Sequence, residues 1–257
     1  MTKVVVNSLW IGTSLSKLEL LTIHSFIAHG HEFVLWTYSD LAIEKIEGLQ
    51  LKNANEILDE KFIFQYKNSN SFGHGKGSFA GFSDIFRYKL LYELGGWWVD
   101  MDILCLKPFD FEAPYFFRKH HELLLVGNVM KCPPKSDLML KCFEQSVREV
   151  TAENQDWHLP IQILIGQVKA LGLEAYIEEK RSNFDRWEET KKFIYRRKKI
   201  PEDWYFIHWQ NEEWRNKKRD KNQIRYHSTL GKQMQKHKLL KKEFSFTEKV
   251  LNYLQTL

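Results

Sequence analysis

Apolar residues recur with two different periods along this chain, and the switches between them mark out the elements. Lys3 to Trp10, KVVVNSLW, is a β-branched run that predicts a first, central strand, and Ile11-Gly12-Thr13 turns out of it. From Leu15 to Ala28 the apolar positions take helical spacing, at Leu15, Leu18, Leu21 and Ile23 to Ile27. Glu32 to Tyr38 returns to a strand pattern. Strand, helix and strand in that order imply a right-handed parallel unit. Residues 42–60 are polar and weakly helical. Residues 61–78 hold Asn68-Ser69-Asn70-Ser71 and Gly73-His74-Gly75-Lys76-Gly77, which predicts a mobile, glycine-rich loop. Its spacing is not that of a P-loop, although His74 and Lys76 have the reach for a diphosphate.

The helical period is clearest between Ser78 and Leu94. Phe82, Ile85, Phe86, Leu90 and Leu94 make a core-facing stripe, and Asp84, Arg87, Tyr88 and Leu91 lie beside it. Gly95-Gly96 stops the helix, Trp97-Trp98-Val99 is a buried strand, and Asp100-Met101-Asp102 sits at its end. Ile103 to Leu106 continues as strand until Lys107-Pro108 ends pairing. Further along, Leu123 to Val129 and Trp204 to Trp209 read as strands, and Asp137 to Val150 and the segment up to Ala170 as helices. Residues 232–257 are helical and basic, then mildly amphipathic through Phe244, Phe246, Val250, Leu251 and Leu254. Alternating strands and helices predict an α/β fold, a mixed Rossmann-like sheet flanked by helices with a helical C-terminal extension. At 257 residues one domain suffices.

Two carboxylates two residues apart in extended chain project to one side and repel unless a cation lies between them. A hard divalent ion, Mn or Mg, suits oxygen ligands and leaves positions for a substrate phosphate. The whole string, Ser83-Asp84, Arg87-Tyr88, Leu91, Gly95-Gly96, Trp98, Asp100 and Asp102, resembles the S-D-x-x-R-Y-x-x-L-x-x-x-G-G-x-Y-x-D-x-D signature of glycosyltransferase family 32. That family includes the yeast initiating mannosyltransferase and bacterial capsule polysaccharide and lipooligosaccharide enzymes, and clostridial toxin glucosyltransferase domains carry a related string. Trp98 stands where the family usually has Tyr, so the hydrogen bond of that hydroxyl is in question. The resemblance implies a GT-A-type fold and a nucleotide-sugar donor, UDP-hexose ahead of GDP-mannose. It implies a metal held by Asp100 and Asp102 around Met101, and a donor gripped by Asp84 and Arg87, with Arg87 serving turnover far more than stability. It also implies retention of anomeric configuration, with the acceptor deprotonated by the leaving phosphate.

Weaker resemblances extend the site. Val6 to Gly12 is similar to the family's opening I-H-x-I-W-x-G, with Asn7 in place of His, which would set Trp10, Ile11 and Gly12 against the nucleotide base. Trp36, Tyr38 and Asp40 resemble a W-T/Y-D tract, with base or ribose contact and core packing both open for Tyr38 and Asp40. Phe206 to Trp214 resembles the a-I-H-x-x-x-x-S-W tail. His208 would then complete the metal sphere or touch the diphosphate, and Trp214 would close over the nucleotide, although Glu213 replaces the usual serine. Gly127-Asn128 is placed to approach a sugar, and Asp156 and His158 are acceptor-side candidates near Pro160. On this reading residues 1–110 bind the nucleotide sugar, 111–230 the glycan or glycolipid acceptor, and 231–257 form a tail. Two other activities compete: a D-x-D phosphohydrolase and a non-catalytic carbohydrate-binding protein.

Composition sharpens the picture in three places. Aromatic content of 14%, with nine Trp, suits stacking on sugar faces, although most of the rings must fill the core. Three cysteines, Cys105, Cys132 and Cys142, lack metal-ligand spacing and read as buried thiols in a reducing compartment. The net charge of +5 is concentrated late, in Lys191-Lys192, Arg196 to Lys199, Lys217 to Arg219 and Lys241-Lys242. Those clusters read as a solvated face or as attraction to an anionic membrane or a phosphate-bearing acceptor. Nucleic acid is disfavoured, because no recognition motif accompanies the charge. Without a signal-like or membrane-spanning apolar run, the expected location is cytoplasmic, with peripheral contact to the inner membrane face.

Overall fold

A computed structural model of the chain describes residues 4–179, 181–183, 185–240 and 254. Strands β1 (Val5–Trp10) and β2 (Glu32–Thr37) pair in parallel along their whole length, with helix α1 (Lys17–Ala28) between them in sequence. Ser16 opens α1 as a capping box: its hydroxyl accepts from the Leu18 N–H, and the Glu19 carboxylate accepts from the Ser16 N–H at 2.8 Å.

The weakly helical reading of residues 42–60 is corrected. Leu49–Asn53 forms β3, parallel to β2 at the sheet edge, and only short 3-10 turns follow it. The backbone bonds offered by β2 override a composition that is poor for strands.

Helix α2 (Ala80–Leu94) runs as its periodicity predicts and stops at Gly95, whose φ of 63° is left-handed. A Cβ there would collide with the Pro134 nitrogen, so both conformation and space demand glycine. Strand β4 (Gly96–Val99) then pairs in parallel with β1, on the side away from β2.

Beyond it lie β5 (Ile103–Cys105), β6 (Phe116–Arg118), β7 (Val126–Cys132), α3 (Asp137–Glu149), α4 (Leu159–Ala170), β8 (Ile177–Glu178), α5 (Trp187–Tyr195), β9 (Phe206–His208), α6 (Asn211–Asn216) and α7 (Thr229–Lys236). The main sheet has the order β3-β2-β1-β4-β7-β6-β8, with β7 antiparallel to β4 and β6. Strands β5 and β9 form a separate antiparallel ribbon. The fold is therefore the mixed α/β sheet flanked by helices that the pattern predicts. The C-terminal helix begins at Thr229, earlier than predicted, while Phe244, Phe246, Val250 and Leu251 lie outside the described residues.

Both faces of the sheet are covered. Along β2, Val34 and Trp36 enter a core shared with α2, α3 and α4, while Phe33 and Leu35 enter one shared with α1, Trp97 and Phe109. A third core joins α1 to the β5–β9 ribbon, α6 and α7. The three cysteines are buried and free. Among the described residues no helix is long and apolar enough to cross a membrane.

Candidate active site

The order of strands puts the acidic pair at a particular place. From β1 the sheet grows to β2 and β3 on one side and to β4 on the other, all parallel. The carboxyl ends of β1 and β4 are thus neighbours where the winding reverses, the position at which open α/β sheets bind nucleotides. Asp100, Met101 and Asp102 follow β4 there. They form a tight turn rather than the extended chain expected, with the Ile103 N–H donating to the Asp100 carbonyl at 3.2 Å. Buried Met101 points its backbone carbonyl at the Thr22 hydroxyl, which donates at 2.9 Å and fixes the turn from beneath.

The near flank of the turn comes from α2 and β4. Arg87 lies 3.2 Å from the Asp84 carboxylate, one helical turn away, and its Nη2 donates to Asp100 Oδ1 at 2.9 Å. Its guanidinium also stacks 5.1 Å from the Trp98 ring centroid. The Trp98 indole N–H donates to the same Asp100 oxygen at 2.7 Å, so the residue that lacks a tyrosine hydroxyl supplies a hydrogen bond of its own. Gly127 of β7 makes room for this arrangement: a Cβ there would lie 2.6 Å from Arg87 Nη1. Burial raises Asp84 to about 6, against the pull of Arg87 and with the help of Asp100. Asp100 is raised by burial and by Asp102, again against Arg87.

The far flank is assembled from distant chain. His208 ends β9, and the register opposes it to Ile103, beside Asp102. Its Nε2 lies 3.1 Å from Asp102 Oδ2, which also accepts from the Asn211 N–H at 2.6 Å. Its Nδ1 lies 2.6 Å from Asp185 Oδ1. The other Asp185 oxygen pairs with Arg118, which is 1% exposed and also donates to Ser182 at 2.8 Å. Asn183 pins the strand end, accepting from the His208 N–H and donating to its carbonyl. Burial opposes the charge on His208, but Asp102 and Asp185 more than offset it and raise the imidazole to about 10. Both carboxylates fall below the usual range in spite of burial: His208 lowers Asp102, and Arg118 first and His208 second lower Asp185. Asp185 holds φ at 62°, a strained conformation that this network must stabilise.

The other predicted residues fall in several places. Trp10, Ile11 and Gly12 leave β1 at the same sheet edge, with the Trp10 indole donating to Ser14. Asn7 is buried and accepts from the Trp36 indole at 3.0 Å. Tyr38 packs on Phe82 and Phe86 and donates its hydroxyl to the Leu58 carbonyl at 2.7 Å, whereas Asp40 is exposed. Trp214 is 2% exposed inside the third core, its N–H donating to the Trp209 carbonyl. Asp156 accepts from the His158 N–H and from Gln162 and serves the start of α4. The glycine-rich loop is held rather than loose. Glu213 contacts His74, Glu212 accepts from the Gly75 N–H, and Arg215 and Asn216 donate to the Lys76 and Phe72 carbonyls.

The three residues expected at the metal, Asp100, Asp102 and His208, come together at the turn, His208 through Asp102. Among the described residues no group of three His, Cys, Asp or Glu side chains has the arrangement of a metal cluster. Both ring nitrogens of His208 face carboxylates, Asp102 and Asp185. Oxygen donors are nevertheless at hand. The hydrogen bonds of Asp100 fall on Oδ1 and those of Asp102 on Oδ2, which leaves one oxygen of each uncommitted. Asn211 Oδ1 is buried with no partner, and its orientation is fixed because Nδ2 donates to Glu19. An all-oxygen set of this kind fits Mn or Mg. Asp185, Arg118 and Asn211 are residues that reading along the chain missed.

Comparison with known proteins decides the class. Residues 20–117 match a family model described as "Glycosyltransferase sugar-binding region containing DXD motif". This stretch is a DXD-type glycosyltransferase region. With it, the enzyme class of the chain is that of a glycosyltransferase. The matched glycosyltransferase region contains Asp84, Arg87, Trp98 and the D-x-D turn, but neither Asp185 nor His208. No curated protein matches the chain. Among solved structures, one described as "PaToxG Glycosyltransferase" is 12% identical, with a TM-score of 0.46, 67% of this chain covered and 73% of that one. Another, described as the structure of a transferase mutant, is 9% identical, with a TM-score of 0.46, 66% of this chain covered and 85% of that one.

Proposed function

We propose that the protein moves a hexose from a nucleotide-diphosphate sugar to a hydroxyl of a glycan or glycolipid, in a metal-dependent reaction that retains anomeric configuration. The observation that carries this reading is the place of the D-x-D turn. It lies at the reversal between β1 and β4, with one free oxygen on each acid. Asp100, Asp102 and Asn211 would hold Mn or Mg, which neutralises charge on a departing diphosphate. Trp10 to Gly12, at the neighbouring carboxyl end of β1, offer backbone and an indole to the base. Arg87 stands ready for donor oxygens, and Asp84 accepts from sugar hydroxyls. His208, Asp185 and Arg118 keep Asp102 ionised and oriented, leaving Oδ1 toward the ligand. UDP-hexose is favoured over GDP-mannose, in line with the bacterial relatives that the signature resembles. Residues 1–110 and 111–230 serve donor and acceptor, and a cytoplasmic enzyme in peripheral contact with an anionic membrane fits the basic late segment.

The test is a panel of nucleotide sugars read by thermal stabilisation and by hydrolysis, with and without Mn. One or more UDP-hexoses should raise the melting temperature and be hydrolysed only with the metal. A chain indifferent to every nucleotide sugar sinks the proposal. Phosphate release with no sugar transfer would instead favour the phosphohydrolase.

A further inference from the structure

A second polar feature lies outside the donor site, between α5 and α7. A cleft of about 350 Å³ is lined by Tyr195, Arg196, Arg197, His227 and Lys232. No residue of the D-x-D turn or of its two flanks lines it. Two more guanidinium groups press on the same tyrosine ring: Arg225 at 4.5 Å and Arg219 at 5.0 Å from its centroid.

The charge here is unusual for what is missing. Nearby cations have found acids: Lys191 pairs with Glu188, Lys199 with Glu202, Lys217 with Glu213 and Lys221 with Glu19. Among the described residues no carboxylate pairs with Arg196, Arg197, Arg219, Arg225 or Lys232. Cations gathered in one cleft repel each other. An anion with several oxygens, bound between Arg196, Arg197 and Lys232, offsets that repulsion. A phosphoryl group does so best, because its oxygens match the guanidinium fork in charge and geometry. The cleft is at the small end of the range for ligand sites, about 300–1,000 Å³.

We propose that this cleft binds a phosphomonoester or diphosphate group, at a site separate from the donor site. Under the transferase reading the ligand is a phosphate-bearing acceptor. The cleft stands without that reading, because its chemistry uses none of the donor-site residues. The phosphoryl group is carried either by a lipid headgroup or by a soluble molecule.

Titration calorimetry with inorganic phosphate and with pyrophosphate tests the site, run in EDTA so that no metal–pyrophosphate complex can occupy the D-x-D turn. The wild-type chain should bind both, more weakly as salt rises. The double variant Arg196→Ala/Arg197→Ala, whose side chains are exposed, should keep its melting temperature and bind about tenfold more weakly or worse. Lys232→Ala should weaken binding less. Flotation with phosphatidylcholine vesicles containing phosphatidic acid separates the sources. Flotation that the double variant loses assigns a headgroup, and phosphate binding without flotation assigns a soluble ligand. If neither probe binds the wild type, or the double variant binds as well as the wild type, the proposal is overturned.

Discussion

The two flanks of the Asp100–Met101–Asp102 turn have opposite charge balances. On the near flank two carboxylates, Asp84 and Asp100, share one guanidinium, Arg87, and both titrate above the usual carboxylate range. On the far flank two carboxylates, Asp102 and Asp185, share two cations, His208 and Arg118, and the Asn211 N–H, and both titrate below it. Burial raises all four acids, and the number of cationic and N–H partners decides which end below the usual range. The far flank is complete and holds geometry. The near flank is short of positive charge, and its Asp100 side chain is 30% exposed. The deficit and the opening coincide on the side where a cation and a donor would enter.

Asp102 belongs to the turn and to the far flank, so its loss should have the largest effect. Asp102→Ala should lower Mn-dependent hydrolysis of the donor by about a hundredfold or more. Activity within about tenfold of wild type would remove Asp102 from the chemistry.

Arg87→Ala leaves two buried carboxylates without their cation and should cost about 3–5 kcal/mol in urea unfolding. The expectation that Arg87 serves turnover far more than stability is tested by the same measurement, because Arg87 is 5% exposed and packed between both acids. An unchanged midpoint would show that the near flank does not depend on it.

Asp185→Asn keeps the shape of the far flank but removes a charge shared by His208 and Arg118. It should cost about 2–3 kcal/mol. Stability equal to wild type would mean that Ser182, Asn128 and Asn183 suffice for Arg118.

Asp84→Asn should have the opposite sign. The folded pKa of Asp84, about 6, lies above the reference 3.8, so the native state holds the proton more tightly. Ionisation therefore subtracts stability as pH rises from about 4 through 6, and the stability returns as pH falls. At pH 7 the Asn variant should be more stable by about 2 kcal/mol, with a flatter melting profile between about pH 4 and 6. A variant less stable than wild type at pH 7 would break the comparison.

Trp98→Phe removes the 2.7 Å indole hydrogen bond to Asp100 and part of the ring that Arg87 stacks on, and about a tenfold loss of turnover is expected. Full activity would show that Arg87 alone orients that carboxylate.

The near flank was legible because its parts are local. Asp84 and Arg87 are one helical turn apart, Arg87 and Asp100 are 13 residues apart, and a glycine stop with a short strand fixes the path between them. The far flank was half legible. His208 stood out as a lone imidazole in an apolar strand, but its contact with Asp185 was not foreseen. Asp185 lies 23 residues before it in a segment without periodicity, and Arg118 is in a three-residue strand that no pattern marked. Trp214 looked like a cover for the nucleotide because aromatic residues serve equally as lids and as core. Burial alone separates the two.

Periodicity and glycine placement thus determined the elements, the α/β class and the acid–arginine unit at the end of β4, because those depend on neighbours along the chain. Only the tertiary structure decided which strand lies beside β4, which cation faces which acid, and hence which acids are over- or under-neutralised. A pKa is set by distances through space, and of the residues that set it for Asp102, Asn211 approaches from 109 positions away.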